Sequence, residues 1–252
     1  MRVRGCVWQA SAAYAEDTMC VLRSKHKTVA LVGVPFDAAE VTRRQVRDVL
    51  EKVRPERAVV GLSDSHAQRI MRDQGRSLAG LFISAYQRWQ VRKGAGSDKT
   101  GSGVAMRCLM QMNVQVMHDY AMVAAAEECA KLRVPVVGGY TLHDMKDNLQ
   151  KSGVSENKIA QMRDAPAEVE QRVLQVLGGE LGLTPTTITT RAEAAKLLFA
   201  IRAISPFFDT IFVQQRGRIM CESIWNCPGS VVVAVVNLMF MDTIESAWKQ
   251  KR

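Results

Sequence analysis

The 252-residue chain lacks the patterns that define several large classes of protein. None of its six cysteines forms a CxxC pair or has a histidine at metal-ligand spacing, which argues against a zinc ribbon and against the disulfide framework of a short secreted chain. Its longest apolar run, from Val231 to Met241, is interrupted by Asn237 and is much shorter than the ~20 residues that a membrane-spanning helix needs. We therefore expect reduced, buried thiols and no membrane span.

Acidic residues are in deficit. Lysine and arginine number 34 against 25 aspartates and glutamates, so the formal net charge is +9. An excess of this kind favours an anionic partner, such as RNA or an acidic protein surface. The N-terminus also lacks the apolar core of a secretory signal. Its two early arginines are faintly like a mitochondrial presequence, although Glu16 and Asp17 are unusual in one.

Apolar runs and helical periodicity alternate along the chain, which predicts an α/β fold with a mainly parallel sheet flanked by helices. A strand over 28–34, a helix over 38–54 and a strand over 57–62 form a βαβ unit with a right-handed crossover. Further strands are predicted over 134–138 and 231–236. Further helices are predicted over about 64–91, 104–132, 141–151, 155–179, 190–203, 206–225 and 241–249. The predicted organisation is an N-terminal extension (1–27) followed by a single domain (28–252).

Two local patterns have a specific structural interpretation. Thr189-Thr190 followed by Glu193 predicts a capping box at the start of a helix. The Gly/Ser-rich segment near 93–103 superficially resembles a phosphate-binding loop. It lacks the Gly-Lys-Ser/Thr ending and follows a predicted helix instead of a strand, so it is interpreted as a flexible connector.

Four segments carry motifs in a common order and spacing: 28–62, 122–142, 212–220 and 230–244. Together they resemble the TraB family (TraB/PrgY/GumN-like, related to TIKI). In that family the corresponding strands end in Gly-Thr-x-His, Val-Glu-Leu, Gly-Asp-Arg and Gly-x-Gly-His, and one helix carries Glu-Arg-Asp-Arg. The resemblance covers roughly residues 28–249. It implies a TraB-like α/β fold and an ancestral metal-dependent hydrolytic site at those strand ends.

This chain departs from the family pattern at every such site position. The resemblance places site residues at Phe36, Gly61, Gly139, Tyr140, Gln215, Gly217, Asn237 and Phe240, and at about Ala121. A metal site needs imidazole or carboxylate ligands, and acid–base catalysis needs a group that titrates. Only the arginines of the helix motif, Arg216 and Arg218, are retained. We therefore expect a pseudoenzyme with no catalytic residue, no metal and no cofactor.

The four histidines, His26, His66, His118 and His143, offer no clear replacement site. No two of them have the i, i+4 spacing of a zinc-binding helix, so surface histidines or histidines with satisfied hydrogen bonds are expected, with a relocated metal site as the alternative. No Gly-x-Ser-x-Gly elbow for a serine nucleophile occurs between a strand and a helix.

Basic side chains cluster along the first two predicted helices of the domain. Arg69, Arg72 and Arg76 are spaced by three and four residues and so share one helix face. Guanidinium groups bind phosphates and carboxylates bidentately, which makes this surface a candidate contact for RNA or acidic proteins; a merely solvated face is the alternative. No RRM or KH motif is present, which argues against base-specific recognition. The candidate contact residues are Arg43, Arg44, Arg47, Arg69, Arg72, Arg76, Arg88, Arg92 and Lys93.

An enzyme fold without reactive groups and with a basic surface favours a structural role. By analogy with repurposed enzyme domains in divergent mitochondrial ribosomes, we expect a mitochondrial location and a ribosomal subunit or assembly factor that contacts rRNA and neighbouring proteins. An accessory subunit of a respiratory or ATP-synthase complex is one alternative, and a residual metal-dependent hydrolase is another. No DNA partner and no small-molecule substrate are expected.

Overall fold

The structure, a computed structural model, describes residues 2–3, 6–7, 16–35, 39–72, 120–140, 188–204 and 209–251. Two short strands near the N-terminus pair as an antiparallel ladder, and five longer strands form one sheet. The strands are β1 (Arg2–Val3), β2 (Cys6–Val7), β3 (Met19–Arg23), β4 (Thr28–Val34), β5 (Arg57–Ser63), β6 (Val136–Tyr140) and β7 (Val231–Asn237).

Helices connect and cover the strands. The α-helices are α1 (Ala39–Val53), α2 (Asp64–Arg72), α3 (Tyr120–Lys131), α4 (Arg191–Ile204), α5 (Arg216–Asn226) and α6 (Met241–Lys251). A π-helix (Asp209–Gln215) runs directly into α5, and 3₁₀ turns lie at Glu16–Thr18 and Leu238–Phe240.

The five-stranded sheet has the order β3-β4-β7-β5-β6. All neighbours are parallel except the β3–β4 pair, which is antiparallel. All seven residues of β7 are buried, as expected for the central strand of a sheet that is covered on both faces. The prediction of an α/β fold with a mainly parallel sheet flanked by helices is confirmed.

Each face of the sheet packs against its own hydrophobic cluster. Alternate β7 residues such as Val232 and Ala234 point into one cluster with α4, α5 and α6, where Trp248 is fully buried. Val233 and Val235 point to the other cluster, which includes α1, α2 and α3. The period of two along the strand therefore builds a three-layer α/β/α arrangement.

Most of the predicted elements inside the described residues are confirmed, with small shifts at their ends. The largest shift is in β6, which begins at Val136 and not at 134, since Pro135 lacks the N–H that a strand residue would donate. The predicted helix over 206–225 begins as the π-helix. β3 was not predicted at all, although it lies within residues 1–27 and pairs with β4. The segments 73–119 and 141–187, with the predicted Gly/Ser connector, lie outside the described residues.

The capping box at the start of α4 is confirmed. The Glu193 carboxylate accepts hydrogen bonds from the backbone N–H groups of Thr189 (2.8 Å) and Thr190 (2.9 Å). The Glu193 N–H in turn donates to the Thr190 hydroxyl at 3.2 Å. These bonds satisfy the unpaired donors of the first helical turn and fix where α4 begins.

Helices α1 and α3 end in similar turns, each with an arginine in the left-handed conformation. Arg54 follows α1 with φ 48°, and Arg133 follows α3 with φ 56°. Glycine usually occupies this position, because the left-handed conformation costs an L-residue about 1–2 kcal/mol. Both turns therefore carry a backbone conformation that is strained for arginine.

Among the described residues, no helix is both long and apolar enough to cross a membrane.

Candidate functional site

The carboxyl ends of four parallel strands, β4, β5, β6 and β7, meet at one edge of the sheet. The chain leaves β4 and β5 towards α1 and α2 on one face, but it leaves β7 towards α6 on the opposite face. In open α/β sheets, ligands bind where neighbouring strands lead to opposite faces. The edge around the end of β7 is therefore the candidate site, and the TraB-like resemblance places its positions at the same edge.

A buried arginine lies at this edge between two aromatic rings. Arg216 is only 3% exposed. Its guanidinium carbon lies 4.3 Å from the ring centroid of Tyr140 and 5.2 Å from that of Phe240. Its Nη2 donates a hydrogen bond of 2.8 Å to the Tyr140 hydroxyl. Two positions predicted for an ancestral site, Tyr140 and Phe240, thus surround the retained arginine in a cation–π arrangement.

Two glycines occupy positions where the resemblance places acidic residues. A Cβ atom at Gly61 would lie 3.1 Å from Met122 Sδ and 3.6 Å from Met220 Cε. A Cβ atom at Gly139 would lie 3.0 Å from the Val60 carbonyl oxygen and 3.4 Å from Met220 Cγ. Methionine side chains and backbone therefore fill the space that carboxylates would occupy.

Two of the remaining predicted positions, Gly217 and Asn237, have packing or capping roles. A Cβ atom at Gly217 would lie 2.6 Å from Thr243 Cγ2, so glycine allows α5 and α6 to approach closely. Asn237 is 2% exposed, and its side-chain oxygen accepts a hydrogen bond of 3.1 Å from the Met239 N–H. Gln215 is half-buried, Arg218 is exposed, and Phe36 lies outside the described residues.

A carboxylate at the start of α2 joins two of the elements at this edge. Asp64 Oδ1 accepts a hydrogen bond of 3.0 Å from the Gly138 N–H and so joins α2 to β6. No local sequence pattern predicts this role, because the pairing of α2 with β6 depends on a contact across 74 residues. Within the described part of the chain, no three His, Cys, Asp or Glu side chains come together in a way that could hold a metal ion.

Two of the candidate RNA-contact residues on α1, Arg43 and Arg47, form ion pairs with glutamates of α3. Arg43 Nη1 lies 2.5 Å from the Glu127 carboxylate, and Arg47 lies 2.9 Å from that of Glu128. Lys131 adds a third cation, 2.6 Å from Glu128. Both glutamates are almost fully buried on α3. Arg43 and Arg47 thus join α1 to α3, and a phosphate contact at either would compete with an ion pair.

Three of the other candidate contact residues lie within the described part of the chain. Arg44 on α1 and Arg69 and Arg72 on α2 are exposed. They are positioned to meet a partner without breaking the α1–α3 ion pairs. Arg76, Arg88, Arg92 and Lys93 lie outside the described residues.

The cysteine thiols that the structure describes are not poised for reaction. Cys20, Cys129, Cys221 and Cys227 are free thiols, the last three of them buried. Burial raises the pKa of Cys129 to about 12 and that of Cys221 to about 11. Since the thiolate is the reactive form, these groups are inert near neutral pH. The burial of Cys129, Cys221 and Cys227 agrees with the prediction of buried thiols for these three residues.

The Glu128 ion pairs predict a dependence of stability on pH. Burial raises the pKa of Glu128, but the hydrogen bonds from Lys131 and Arg47 outweigh it and hold that pKa below its usual value of 4.5. The carboxylate therefore contributes stability above about pH 4.5 and loses it as the pH falls through its folded-state pKa. We expect Glu128→Gln to lower the free energy of unfolding at pH 7 by about 1–2 kcal/mol, since the cations can be resolvated.

Urea unfolding of both proteins between pH 7 and pH 3 measures this effect, and the difference between them should shrink in acid. The matched control is Glu222→Gln, because Glu222 forms an exposed pair with Lys251 at 3.7 Å. We expect this control to change the free energy of unfolding by less than about 0.5 kcal/mol at any pH. A constant Glu128→Gln effect down to pH 3 would contradict the assignment.

Comparison with known proteins names no family for this chain: no protein-family model matches the sequence, and no curated protein matches it either. The TraB-like resemblance therefore stays a prediction that depends on the four motifs.

Proposed function

We propose that the protein is a non-catalytic structural component of a mitochondrial ribosome, either a subunit or an assembly factor. Exposed basic side chains would contact rRNA phosphates, and other surfaces would contact neighbouring proteins. The observation that carries the proposal is the composition of the sheet's carboxyl edge.

That edge supports a structural role because its groups are engaged in packing. Met122 and Met220 fill the space beside Gly61 and Gly139, and the single arginine between aromatic rings is buried. General acid–base catalysis needs a titrating group within hydrogen-bond reach of a substrate. The carboxylates of Asp64 and Asp242 are both engaged, the first with the backbone of β6 and the second with Arg191. The described residues therefore favour a fold that is kept for its surface.

The distribution of charge supports an anionic partner. Nine excess positive charges attract a polyanion at long range, in a manner that depends on salt. Arg44, Arg69 and Arg72 are exposed on the two helices that follow β4 and β5, on the same side of the sheet. Guanidinium groups in such positions suit the phosphates of a folded RNA better than they suit a single base.

The assembly is tested by sedimentation of organelle lysate that contains the tagged protein. We expect it to co-sediment with ribosomal particles and to shift when the RNA is digested. Migration in a detergent-extracted, RNA-free complex would favour the respiratory or ATP-synthase alternative and overturn the proposal. Stoichiometric zinc or manganese in the purified protein, together with hydrolysis of a peptide, would favour the hydrolase.

If exposed arginines contact RNA phosphates directly, removing two of them should weaken RNA binding and reduce its dependence on salt. Arg44→Gln combined with Arg72→Gln removes two exposed cations, so the slope of log affinity against log salt should fall by about 1–2, since each phosphate contact contributes ~0.7 in single strands and ~0.9 in B-form DNA. Fluorescence anisotropy with a labelled rRNA hairpin at 50–200 mM salt measures it. The control is Arg218→Gln with Lys249→Gln, which removes the same charge from exposed positions on α5 and α6. Equal slopes for the two pairs would contradict a specific contact on α1 and α2.

A further inference from the structure

The outward face of α4 carries an exposed aromatic side chain. Phe199 is 75% exposed, more than any other large hydrophobic residue among those described. Ala192 and Ala195 precede it at spacings of three and four residues and are exposed as well. The buried residues Ala194 and Leu197 pack on the other side of the helix, in the cluster that α4 shares with α5 and α6. An apolar strip that ends on a phenyl ring therefore faces outward.

Two cations flank the ring along the helix. Lys196 precedes Phe199 by three residues and Arg202 follows it by three, so the three side chains occupy neighbouring positions of one face. At 1.5 Å per residue the two cations are about 9 Å apart along the helix axis, with the ring between them. Lys196 is exposed, and the Arg202 side chain is 57% exposed.

Exposed acidic side chains do not offset these cations on α4. Residues 194–204 include no aspartate or glutamate, and no described carboxylate pairs with Lys196. Arg202 does have a carboxylate partner, since its Nε donates a hydrogen bond of 2.9 Å to Asp209. That carboxylate is buried, and the bond leaves both Nη groups of an exposed side chain available to a further partner. The exposed charge around the ring is therefore positive.

A ring between two cations matches one nucleotide of single-stranded RNA. Unpaired bases stack on aromatic side chains, and this contact tolerates any base sequence. A stacked base is linked through its sugar to a phosphate on either side, and lysine and arginine both bind phosphates. An apolar protein surface would instead bury both cations without a counter-charge, which is costly. The face therefore favours an anionic partner that also offers a flat ring.

We propose that the outward face of α4 binds an unpaired nucleotide of the partner RNA, with its base stacked on Phe199 and its flanking phosphates on Lys196 and Arg202. The inference rests on the proposed function, from which the RNA partner comes, and it names the RNA feature bound at this site. α4 lies on the face of the sheet opposite α1 and α2, whose exposed arginines are the proposed contacts to rRNA phosphates. The protein would thus contact RNA on both faces of its sheet.

Binding of a fluorescein-labelled ten-residue oligoadenylate to the full chain, measured by anisotropy, tests the stacking contact. We expect saturable binding that Phe199→Ala weakens by about fivefold to a hundredfold, which is the contribution of one stacked base. Phe199→Leu keeps apolar surface but lacks a π-face, so it should bind as weakly as Phe199→Ala. Phe199→Trp should bind at least as tightly as the parent. Leu132→Ala is the control, since Leu132 is an exposed apolar residue that follows α3 on the other face of the sheet.

The charge of the same face is tested separately. Lys196→Gln should lower the slope of log affinity against log salt by about 0.7, the contribution of one phosphate in a single strand. Lys249→Gln removes the same charge from an exposed position on α6 and should leave the slope unchanged. An oligonucleotide that carries 4-thiouridine at a central position should crosslink on irradiation to the tryptic peptide 197–202, which contains Phe199.

The outcomes separate this inference from the proposed function. Phe199 is exposed, so its variants should keep the urea midpoint of the parent, and a change in binding is then not a change in folding. Equal affinity of Phe199→Ala and the parent would overturn the inference, and so would failure of the parent to bind oligoadenylate at 1 mM while it still binds the rRNA hairpin. Failure of the parent to bind either RNA would overturn the RNA contacts of the proposed function as well. Unchanged oligoadenylate binding by Phe199→Ala with lost co-sedimentation would assign this face to a neighbouring protein.

Discussion

Alanine at position 138 is expected to lower the free energy of unfolding by about 3 kcal/mol or more. Its Cβ atom would lie 2.3 Å from both the backbone nitrogen and the Cα atom of Asp64, and 2.8 Å from the carbonyl carbon of Ser63. Overpacking a core costs typically 1–3 kcal/mol when side chains can move, and here the obstacle is backbone. The strand and the start of α2 would have to separate, which would also break the hydrogen bond from Gly138 N–H to Asp64.

Gly61→Ala is the matched control for this prediction. Its Cβ atom would meet Met122 Sδ at 3.1 Å and Met220 Cε at 3.6 Å, and methionine side chains can shift. We expect a loss of less than about 1.5 kcal/mol, measured by urea unfolding followed by tryptophan fluorescence. If Gly138→Ala does not fold, the control still does, and the ranking holds. A Gly138→Ala protein as stable as Gly61→Ala would show that the two elements are not in contact as described.

The contrast between these two glycines indicates what the sequence could predict. Both lie in apolar runs, and those runs predicted β5 and the neighbourhood of β6 without a structure. The strands β4, β5 and β7 are buried along almost their whole length, and such strands appear in a sequence as continuous apolar runs, which are easy to recognise. Only the crossing of α2 over β6 distinguishes the two positions, and no local pattern encodes that crossing.

The same limit applies to the charged groups. The spacing of Arg43 and Arg47 places both on one face of α1, as the sequence indicates. What opposes that face is decided by Glu127 and Glu128, which lie 84 and 81 residues further along the chain. Arg43 and Arg47, which were predicted to contact RNA, therefore form ion pairs between α1 and α3. β3 escaped prediction for a related reason, because a five-residue edge strand has no long apolar run.

The second large effect on stability is expected at Arg216. Arg216 and Arg218 lie in the same turn of α5, but Arg216 is buried and Arg218 is exposed. We expect Arg216→Ala to lower the free energy of unfolding by about 2–4 kcal/mol. It removes a charge-assisted hydrogen bond to Tyr140, worth about 1.5–3 kcal/mol, and a buried cation–π contact of up to ~2 kcal/mol, and it leaves a cavity beside Phe240. Arg218 is exposed, so Arg218→Ala should change stability by less than about 0.5 kcal/mol.

Two further substitutions distinguish a structural role of Arg216 from a role in binding a partner. Arg216→Met refills the cavity between the rings with apolar volume and should therefore recover part of the loss. Arg216→Lys keeps the charge but loses the planar guanidinium, and it should remain destabilised. Urea unfolding and sedimentation with ribosomal particles are measured on the same proteins. Normal stability of Arg216→Ala together with lost sedimentation would mean that this arginine holds a partner and not the fold, because a group required for packing cannot be removed without cost to folding.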